Sequence, residues 1–339
     1  MTDFSPPGFL QNPHVQSILA STRLRRLRIF PRVRRLQAAT REVVLDCGNG
    51  VQLCGDYSAH DIPARGLVTL IHGWEGSSNS TYLLSAASAL FAEGYDVFRL
   101  NMRDHGPSHH LNRDLFNSTR LDEMLAALRQ IHANYPRDWH FLVGFSLGGN
   151  FALRMAARAR SEGISLNKTI AICPLLDPVK TMAALENGWW LYEKYFVRKW
   201  KRSLIKKLRY YPELGYQDEL PSFTSLAAMN AYFVPNHTEF ERPEDYLQAY
   251  GIVGDVLTGL DSPAHVIATQ DDPMILAEDL AQLAPSPMLS VECCQFGGHC
   301  GFVKNLKLDS WADERVVELI NLARYPRKMA KGRKATSES

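Results

Sequence analysis

The sequence lacks the features that mark several classes of protein. None of its six cysteines forms a Cys-x-x-Cys pair, no basic segment followed by an apolar segment stands at the N-terminus, and no apolar run is long enough to span a membrane. The net charge is only +2, so there is no overall field that would attract nucleic acid. These absences predict a soluble, cytoplasmic protein with reduced thiols and no nucleic-acid partner.

The chain instead alternates short apolar segments with helical segments over 339 residues, of which 45% are hydrophobic. The predicted strands are Glu42–Asp46, Val51–Tyr57, Leu67–Ile71, Asp96–Leu100, His140–Val143, Thr169–Cys173, Ala264–Ala268 and Leu289–Cys293. The predicted helices are Thr81–Ala92, Leu121–Asn134, Asn150–Ser161, Ala277–Leu283 and Trp311–Leu322. This alternation predicts an α/β fold with a mostly parallel, eight-stranded sheet flanked by helices. No helix separates the first two strands, so we expect them to form an antiparallel hairpin at the sheet edge.

The alternation divides the chain into four predicted parts. Residues 1–40 form an N-terminal extension, and residues 41–178 and 261–325 form the core of sheet and helices. Residues 179–260 lack the alternation and are rich in aromatic side chains, so we expect a mostly helical cap inserted into the core. Residues 326–339 are polar and basic, which predicts a disordered tail.

One short stretch, LVGFSLGGN from Leu142 to Asn150, sets a single serine between glycines. Residues 144–148 fit the pattern G-x-S-x-G, with Ser146 at its centre, an apolar strand before it and a helical segment after it. In that context the turn holds the serine in strained backbone geometry with its hydroxyl exposed above the sheet. Glycines also suit a purely structural turn. The motif alone therefore leaves both interpretations open.

The segment LIHGWEGSSNS also follows a predicted strand and precedes a predicted helix. In it, His72 and Gly73 would let the backbone N–H of Trp74 point into a site. The N–H of Leu147, directly after the serine, would supply a second donor. Two such donors form an oxyanion hole, and the loss of one typically costs about 2.7–4 kcal/mol of transition-state stabilisation. The alternative is an ordinary glycine-rich loop between a strand and a helix.

A serine hydroxyl needs a base to become a good nucleophile, and His299 is the preferred candidate among 11 histidines. It lies in FGGHCGF, after the last strand and before the last helix. The competitors are His105, His109 and His110 in RDHGPSHH, which precede the serine. They lack helical spacing and a carboxylate-rich partner, so we expect a polar loop there, and no metal or other cofactor. His109 and Asp114 also match H-x-x-x-x-D, an acyltransferase pattern that often arises by chance.

The base in turn needs a carboxylate that fixes its tautomer and stabilises its charged form. VIATQDDPMIL offers Asp271 and Asp272 on the loop after a predicted strand, between the serine and His299. Asp272 is preferred because it directly precedes proline and an apolar segment, and Asp271 would then be a turn residue. Asp177 in CPLLDP also follows a strand and stays an alternative. It could equally serve as a capping residue where the chain enters the inserted region 179–260. The preferred order is Ser146, Asp272, His299, as in α/β-hydrolases.

Together these residues resemble the α/β-hydrolase superfamily and, within it, the YheT-like branch of abhydrolase-domain esterases and lipases. The motifs NPHVQSIL, HGWEGSSNS, GFSLGGN, DDP and GGHCGF carry the resemblance from about residue 11 to residue 325. One departure is NMRDHGPS, where many hydrolases have glycine at the position of Asp104. The resemblance implies hydrolysis of carboxylic esters, or transfer of acyl groups, on a lipid-like small molecule. A fold alone does not fix the substrate.

Three functions follow from this resemblance. The first is a serine esterase or lipase acting through an acyl-enzyme on lipid-like or medium-chain acyl esters. The second is an acyltransferase that uses the same triad with an alcohol in place of water. The third, a non-catalytic binding protein on a hydrolase scaffold, is disfavoured because the serine, the acid and the base are all kept. We predict a substrate-binding role for Trp189 and Trp190, aromatic residues in the cap.

Two basic segments raise the question of membranes. TRLRRLRIFPRVRRLQ holds seven arginines, and KYFVRKWKRSLIKKLRYY in the cap has a helical pattern that aligns Val197, Trp200, Leu204 and Leu208. A basic amphipathic helix beside an active site favours peripheral contact with an anionic membrane. The alternative is a solvated face whose apolar side packs on the enzyme body. The sequence does not predict the oligomeric state.

Overall fold

The computed structural model describes residues 4–324 and has a single eight-stranded sheet at its centre. The strands are β1 (Thr40–Asp46), β2 (Gln52–Ser58), β3 (Leu67–Ile71), β4 (Asp96–Asn101), β5 (His140–Phe145), β6 (Lys168–Ile172), β7 (Ala264–Thr269) and β8 (Leu289–Cys294). Their order across the sheet is β1-β2-β4-β3-β5-β6-β7-β8. Pairing is antiparallel between β1 and β2 and between β2 and β4, and parallel elsewhere. The predicted fold class and edge hairpin are confirmed.

Ten α-helices accompany the sheet within residues 4–324. They are α1 (Pro13–Leu19), α2 (Arg23–Ala38), α3 (Thr81–Ala92), α4 (Leu121–Asn134), α5 (Leu147–Arg158), α6 (Pro178–Asn187), α7 (Trp190–Leu208), α8 (Leu226–His237), α9 (Pro243–Ala249) and α10 (Trp311–Arg324). The helix predicted at Ala277–Leu283 is instead a 3-10 helix, Ala277–Gln282, held by bonds between residues three apart. None of the helices in this described part is long and apolar enough to cross a membrane.

Two helices, α1 and α2, occupy the predicted N-terminal extension. Asn12 caps α1 by accepting hydrogen bonds from the amides of His14 and Val15, and Pro13 takes the first position, where its missing N–H costs nothing. Thr22 caps α2 in the same way. The sequence analysis did not predict either helix. The predicted tail, residues 326–339, lies outside the described residues, and the proposed division into four parts stays a prediction.

The predicted cap region contains α6 to α9. Helix α7 turns its apolar stripe inward: Val197 and Leu204 are buried, and Trp200 and Leu208 pack against the same core. That arrangement matches the packing alternative considered for this helix and not a membrane-facing stripe. A buried ion pair fixes α7 to the loop after β4, because Lys207 Nζ lies 2.7 Å from a carboxylate oxygen of Asp104.

The central strands are buried on both faces by helices, as parallel strands require. The parallel strands all end at the same edge of the sheet, where Ile71, Phe145 and Thr269 stand at the ends of β3, β5 and β7. The outer strand β8 differs from this pattern. Its Cys294 is buried, but the neighbouring Cys293 is exposed.

Candidate active site

Ser146 lies in the sharp turn between β5 and α5, at the carboxyl edge of the sheet. Its backbone has φ of 54° and ψ of −121°, in a region that non-glycine residues rarely adopt. A Cβ added at Gly148 would lie 2.3 Å from the carbonyl oxygen of His72, so a side chain there would push the turn away from β3. The turn therefore requires glycine for a close backbone contact, and it presents the serine above the strand ends.

The imidazole of His299 bridges Ser146 and Asp272. Its Nε2 lies 2.9 Å from Ser146 Oγ, and its Nδ1 lies 2.8 Å from Asp272 Oδ2. A carboxylate only accepts hydrogen bonds, so Nδ1 donates to Asp272 and Nε2 is left to accept from the serine hydroxyl. The other oxygen of Asp272 accepts hydrogen bonds from the amides of Met274 and Ile275, which fixes the carboxylate. This geometry matches the order acid, base, nucleophile of a hydrolytic triad.

The surroundings of His299 change its proton affinity in opposite directions. Burial by itself lowers the pKa of the imidazole, but the Asp272 carboxylate and the Cys300 sulfur outweigh burial and raise the pKa well above its ordinary value. Asp272 and Cys300 therefore favour the protonated form of His299. A base of this kind takes up a proton readily, and it is neutral only above the pH at which ordinary histidines lose theirs.

The two alternative acids have other partners. Asp271 accepts hydrogen bonds from the amides of Gly298 at 2.8 Å and Gly297 at 3.3 Å, so it fixes the loop that carries His299. Asp177 caps α6 by accepting from the amides of residues 179 and 180. Of the three candidates, only Asp272 is within hydrogen-bond distance of the imidazole in residues 4–324.

The competing histidines form part of the scaffold around the site. His105 is buried, its Nδ1 donates to the carbonyl of Arg103, and its Nε2 accepts from the amide of Glu75. Burial lowers the pKa of His105 to about 4, so it stays neutral near pH 7. His109 contacts Ser203 Oγ on α7 at 2.9 Å. These contacts place His105 and His109 as links between loops and cap.

The predicted oxyanion segment is held beside Ser146 by its neighbours. A Cβ added at Gly73 would lie 3.1 Å from the Ser146 Cβ, so the two backbones approach closely. The amide of Gly73 donates to Tyr82 Oη at 2.9 Å, and the amide of Glu75 donates to His105. Leu147 is the first residue of α5, where an amide has no acceptor within the helix. The donor roles of Trp74 and Leu147 stay a prediction that this geometry permits.

A cavity of about 100 Å³ extends from Trp74 and Leu147 under the cap. Its apolar wall comes from α6, α7 and α8, including Met182, Trp200 and Phe233, and several polar side chains also line it. One of these is Glu75, whose pKa burial raises to about 8, so that its carboxyl group is mostly neutral at pH 7. The cavity is thus mainly apolar with a few polar groups, as ligand sites commonly are.

Trp189 and Trp190, the predicted substrate-binding residues, are not among the residues that line this cavity, so the cavity does not support that prediction. The Trp190 side chain is 59% exposed and lies against the ammonium group of Lys194. Trp189 packs against the ring of His14 on α1. Trp189 directly precedes α7, and Trp190 is its first residue. The aromatic wall is supplied instead by side chains further along the cap.

Helix α1 contacts the histidine loop directly, which the sequence analysis did not predict. Ser17 Oγ accepts a hydrogen bond from the amide of His299 at 2.8 Å. The buried amide of Gln16 donates to the carbonyl of Val303 and accepts from its amide. A Cβ added at Gly298 would lie 2.3 Å from the carbonyl oxygen of Pro13, so α1 and the loop touch backbone to backbone. The motif NPHVQSIL was the sequence signal for this contact, but the sequence did not indicate which segment of the chain it would pack against.

Three side chains within residues 4–324 could together hold a metal ion. They are Cys173, His299 and Cys300, whose ligand atoms all lie within 4.8 Å of one another. The amide of Cys300 donates to Cys173 Sγ at 3.3 Å, so the two cysteines are in direct contact. The histidines at positions 105, 109 and 110 do not form such a group. Because His299 already bonds Ser146 and Asp272, a metal there would compete with those contacts.

Comparison with known proteins adds a family to this geometry. Residues 66–305 match the model of the family described as alpha/beta hydrolase fold. YheT of Escherichia coli (strain K12) is 22% identical over 330 residues, which cover 93% of this chain and 92% of YheT. Phospholipase ABHD3 of Mus musculus is 21% identical over 73% of this chain and 60% of its own length. The esterase Pf2001 of Pyrococcus furiosus shares the fold with a TM-score of 0.56 at 15% identity, covering 85% of this chain and 94% of that one.

Proposed function

The chain belongs to the α/β-hydrolase family, and from this premise we propose that it hydrolyses carboxylic esters of lipid-like or medium-chain acyl groups through an acyl-enzyme. The observation that carries the proposal is the hydrogen-bond chain from Asp272 through His299 to Ser146, set in a strained turn. The names of two similar proteins, an esterase and a phospholipase, support the same substrate class.

Each residue of the proposed triad has one chemical task. His299 Nε2 takes the hydroxyl proton as Ser146 Oγ attacks the ester carbonyl, and Asp272 stabilises the resulting imidazolium. The amides of Trp74 and Leu147 bind the oxyanion. His299 then gives its proton to the departing alcohol, which leaves an acyl-enzyme. Water, deprotonated by His299, attacks this ester, and the carboxylic acid leaves as Ser146 recovers its proton.

An activity screen tests the proposal. Purified full-length protein is given p-nitrophenyl esters of graded acyl length, with and without added alcohol, and both released p-nitrophenol and new ester are measured. We expect release of p-nitrophenol that saturates with substrate. Ester formation that exceeds hydrolysis would show that the acyl group passes to the alcohol and not to water. No turnover of any ester would contradict the proposed activity.

The cavity predicts a dependence on acyl length that Trp200 controls. Each buried methylene contributes about 0.8 kcal/mol, or roughly fourfold in affinity, so kcat/KM is expected to rise with acyl length until the enclosed space is full. Trp200 lines the cavity and lies edge-on to Trp74. Trp200→Ala should therefore move the optimum to longer chains and lower kcat/KM on the original best ester by about 10-fold.

Trp190→Ala is the matched control for this experiment. It removes an aromatic residue from the same helix, but one that is 59% exposed and outside the cavity. Its chain-length profile should coincide with that of the wild-type enzyme. Equal profiles for all three proteins, with only thermal stability changed in Trp200→Ala, would show that this cavity is not the acyl pocket.

Ser17 should affect turnover without touching the substrate. Its hydroxyl accepts the backbone N–H of His299, so Ser17→Ala frees the loop that carries the proposed base. Because a displacement of about 1 Å in a reacting group can cost up to 100-fold, we expect kcat to fall between about 10-fold and 100-fold with KM little changed. Ser21→Ala, an exposed serine just beyond α1, is the control. A rise in KM alone would place Ser17 in substrate binding instead.

A further inference from the structure

Helix α2 has an unusual outer face. Its inner face buries Arg25, Ile29, Val33 and Leu36 against the enzyme body. At 100° per residue, Leu24, Leu27 and Pro31 fall on the opposite side, where Leu24 is 63% exposed, Leu27 is 72% exposed and Pro31 is also exposed. A helix packed on a protein normally presents polar residues to water at these positions. The apolar stripe therefore needs a partner other than water.

Arginines border this stripe on both sides. Helix α2 holds seven arginines and no acidic residue, and six of the seven are exposed. By helical position, Arg28 and Arg35 lie on one side of the stripe, and Arg23 and Arg34 lie on the other. The seventh, Arg25, points inward and bonds Ser85 Oγ at 3.1 Å. A partner that suits this face must accept apolar side chains at its centre and cations at its margins.

The stripe begins beside the proposed active site. Arg26 donates to the carbonyl of Asn79, which lies in the same loop as Trp74 and Gly73. Helix α1, which contacts the His299 loop, exposes Val15 (38%) and Ile18 (47%) just before α2. Exposed apolar side chains thus continue from the edge of the site along α2. A surface bound by this face would lie next to the carboxyl edge of the sheet.

We propose that α2 is an interfacial helix that docks this enzyme on an anionic lipid surface. Leu24, Leu27 and Pro31 enter the boundary between headgroups and acyl chains, and the bordering arginines bind lipid phosphates. A nucleic acid would use the arginines but would leave the central leucines unmatched. In helix α7, the other basic helix, the apolar stripe of Val197, Trp200, Leu204 and Leu208 faces the core. The docking does not depend on the proposed chemistry.

Vesicle binding tests the proposal independently of ester turnover. Full-length protein carrying Ser146→Ala, so that no lipid is consumed, is sedimented with vesicles of phosphatidylcholine alone or of phosphatidylcholine with phosphatidylglycerol at a three-to-one ratio. We expect at least 10-fold stronger partitioning onto the anionic vesicles at low salt, weakening as salt is added. Binding is measured as the sedimented fraction of protein and not by tryptophan fluorescence, so changes around the tryptophans of the cap do not affect the result.

Two double variants separate the apolar and cationic contributions. Arg28→Gln with Arg35→Gln keeps the stripe and should weaken partitioning on the order of 30-fold. Leu24→Asn with Leu27→Asn keeps every charge and should weaken it by at least about 10-fold. Ile62→Asn is the control, because Ile62 is also 72% exposed but follows β2 at the opposite, amino-terminal edge of the parallel strands. It should bind vesicles like the parent protein.

Several results would overturn the proposal. Equal binding to neutral and anionic vesicles, or binding to neither, would remove the lipid partner. If the arginine pair reduced binding to DNA and to vesicles alike while the leucine pair changed neither, the face would be a general polyanion surface. If light scattering showed a dimer that the leucine pair dissociates without any effect on vesicles, the stripe would be an interface between two copies of the chain.

Discussion

Ser146→Ala is expected to reduce ester hydrolysis by at least about 10⁴-fold, to the level left by binding and the oxyanion donors alone. The change removes the hydroxyl that lies 2.9 Å from His299 Nε2, so no acyl-enzyme can form. A fluorophosphonate probe should label the wild-type protein once per chain and leave Ser146→Ala unlabelled. Ser146 and His299 are both partly exposed, so water can take the place of the lost hydroxyl, and the thermal unfolding midpoint should change little.

A second serine provides the control for this experiment. Ser203 lines the same cavity, and its hydroxyl contacts His109 and the carbonyl of Asp104. Ser203→Ala should keep both the label and most of the activity, because burial lowers the pKa of its partner His109 to about 3, and within residues 4–324 no carboxylate bonds the other nitrogen of that imidazole, so His109 is a poor base. Labelling that persists in Ser146→Ala, or that disappears in Ser203→Ala, would show that the nucleophile has been wrongly assigned.

Asp272→Asn is expected to lower turnover by about 10⁴-fold. The carboxylate accepts the Nδ1 proton of His299, whereas an amide can donate to Nδ1 and so place the ring proton on Nε2. In that tautomer the imidazole cannot accept the serine proton. Asp177→Asn is a close control, because asparagine caps helices as well as aspartate and α6 should be unaffected. Asp272→Asn activity near the wild-type level would move the acid to Asp271 or elsewhere.

The pH profile of the same variant gives a second test. His299 acts as a base only when neutral, and Asp272 raises its pKa, so wild-type kcat/KM should rise with pH and reach half its maximum above pH 6.5. Removing the carboxylate removes the main stabiliser of the imidazolium. The residual activity of Asp272→Asn should therefore rise at lower pH than that of the wild type. An unchanged midpoint would mean that another group titrates in this range.

The strands and the motif residues were predictable because their signals are local. All eight strands lie where apolar segments bounded by turns predict them, and the loops that follow β5, β7 and β8 carry Ser146, Asp272 and His299. The chemistry of such a site depends on residue types near strand ends, and parallel strands bring those ends together at one edge. Short motifs and their order along the chain were therefore enough to nominate three side chains that the fold brings within hydrogen-bond distance.

The features that were missed depend on distant partners. Helix α2 has a helical pattern in its buried positions, but Arg25 stands at one of them, and its burial makes sense only beside Asp313, which is 288 positions later in the chain. The cap aromatics were predictable as buried or binding residues only in general. Which of them face the cavity depends on how α7 lies over the sheet, so Trp200 lines it and Trp190 does not.

The contact between α1 and the loop that carries His299 also determines when, during synthesis of the chain, the site can form. Gln16 and Val303 are 287 positions apart, and Ser146 precedes His299 by 153 positions. During synthesis, then, the proposed nucleophile leaves the ribosome long before the proposed base, and the loop that carries His299 can take its final position only after it packs on α1, which is made near the start. With the proposed triad, the serine of a growing chain is inert, and reactivity arises only when early and late segments of the polypeptide meet.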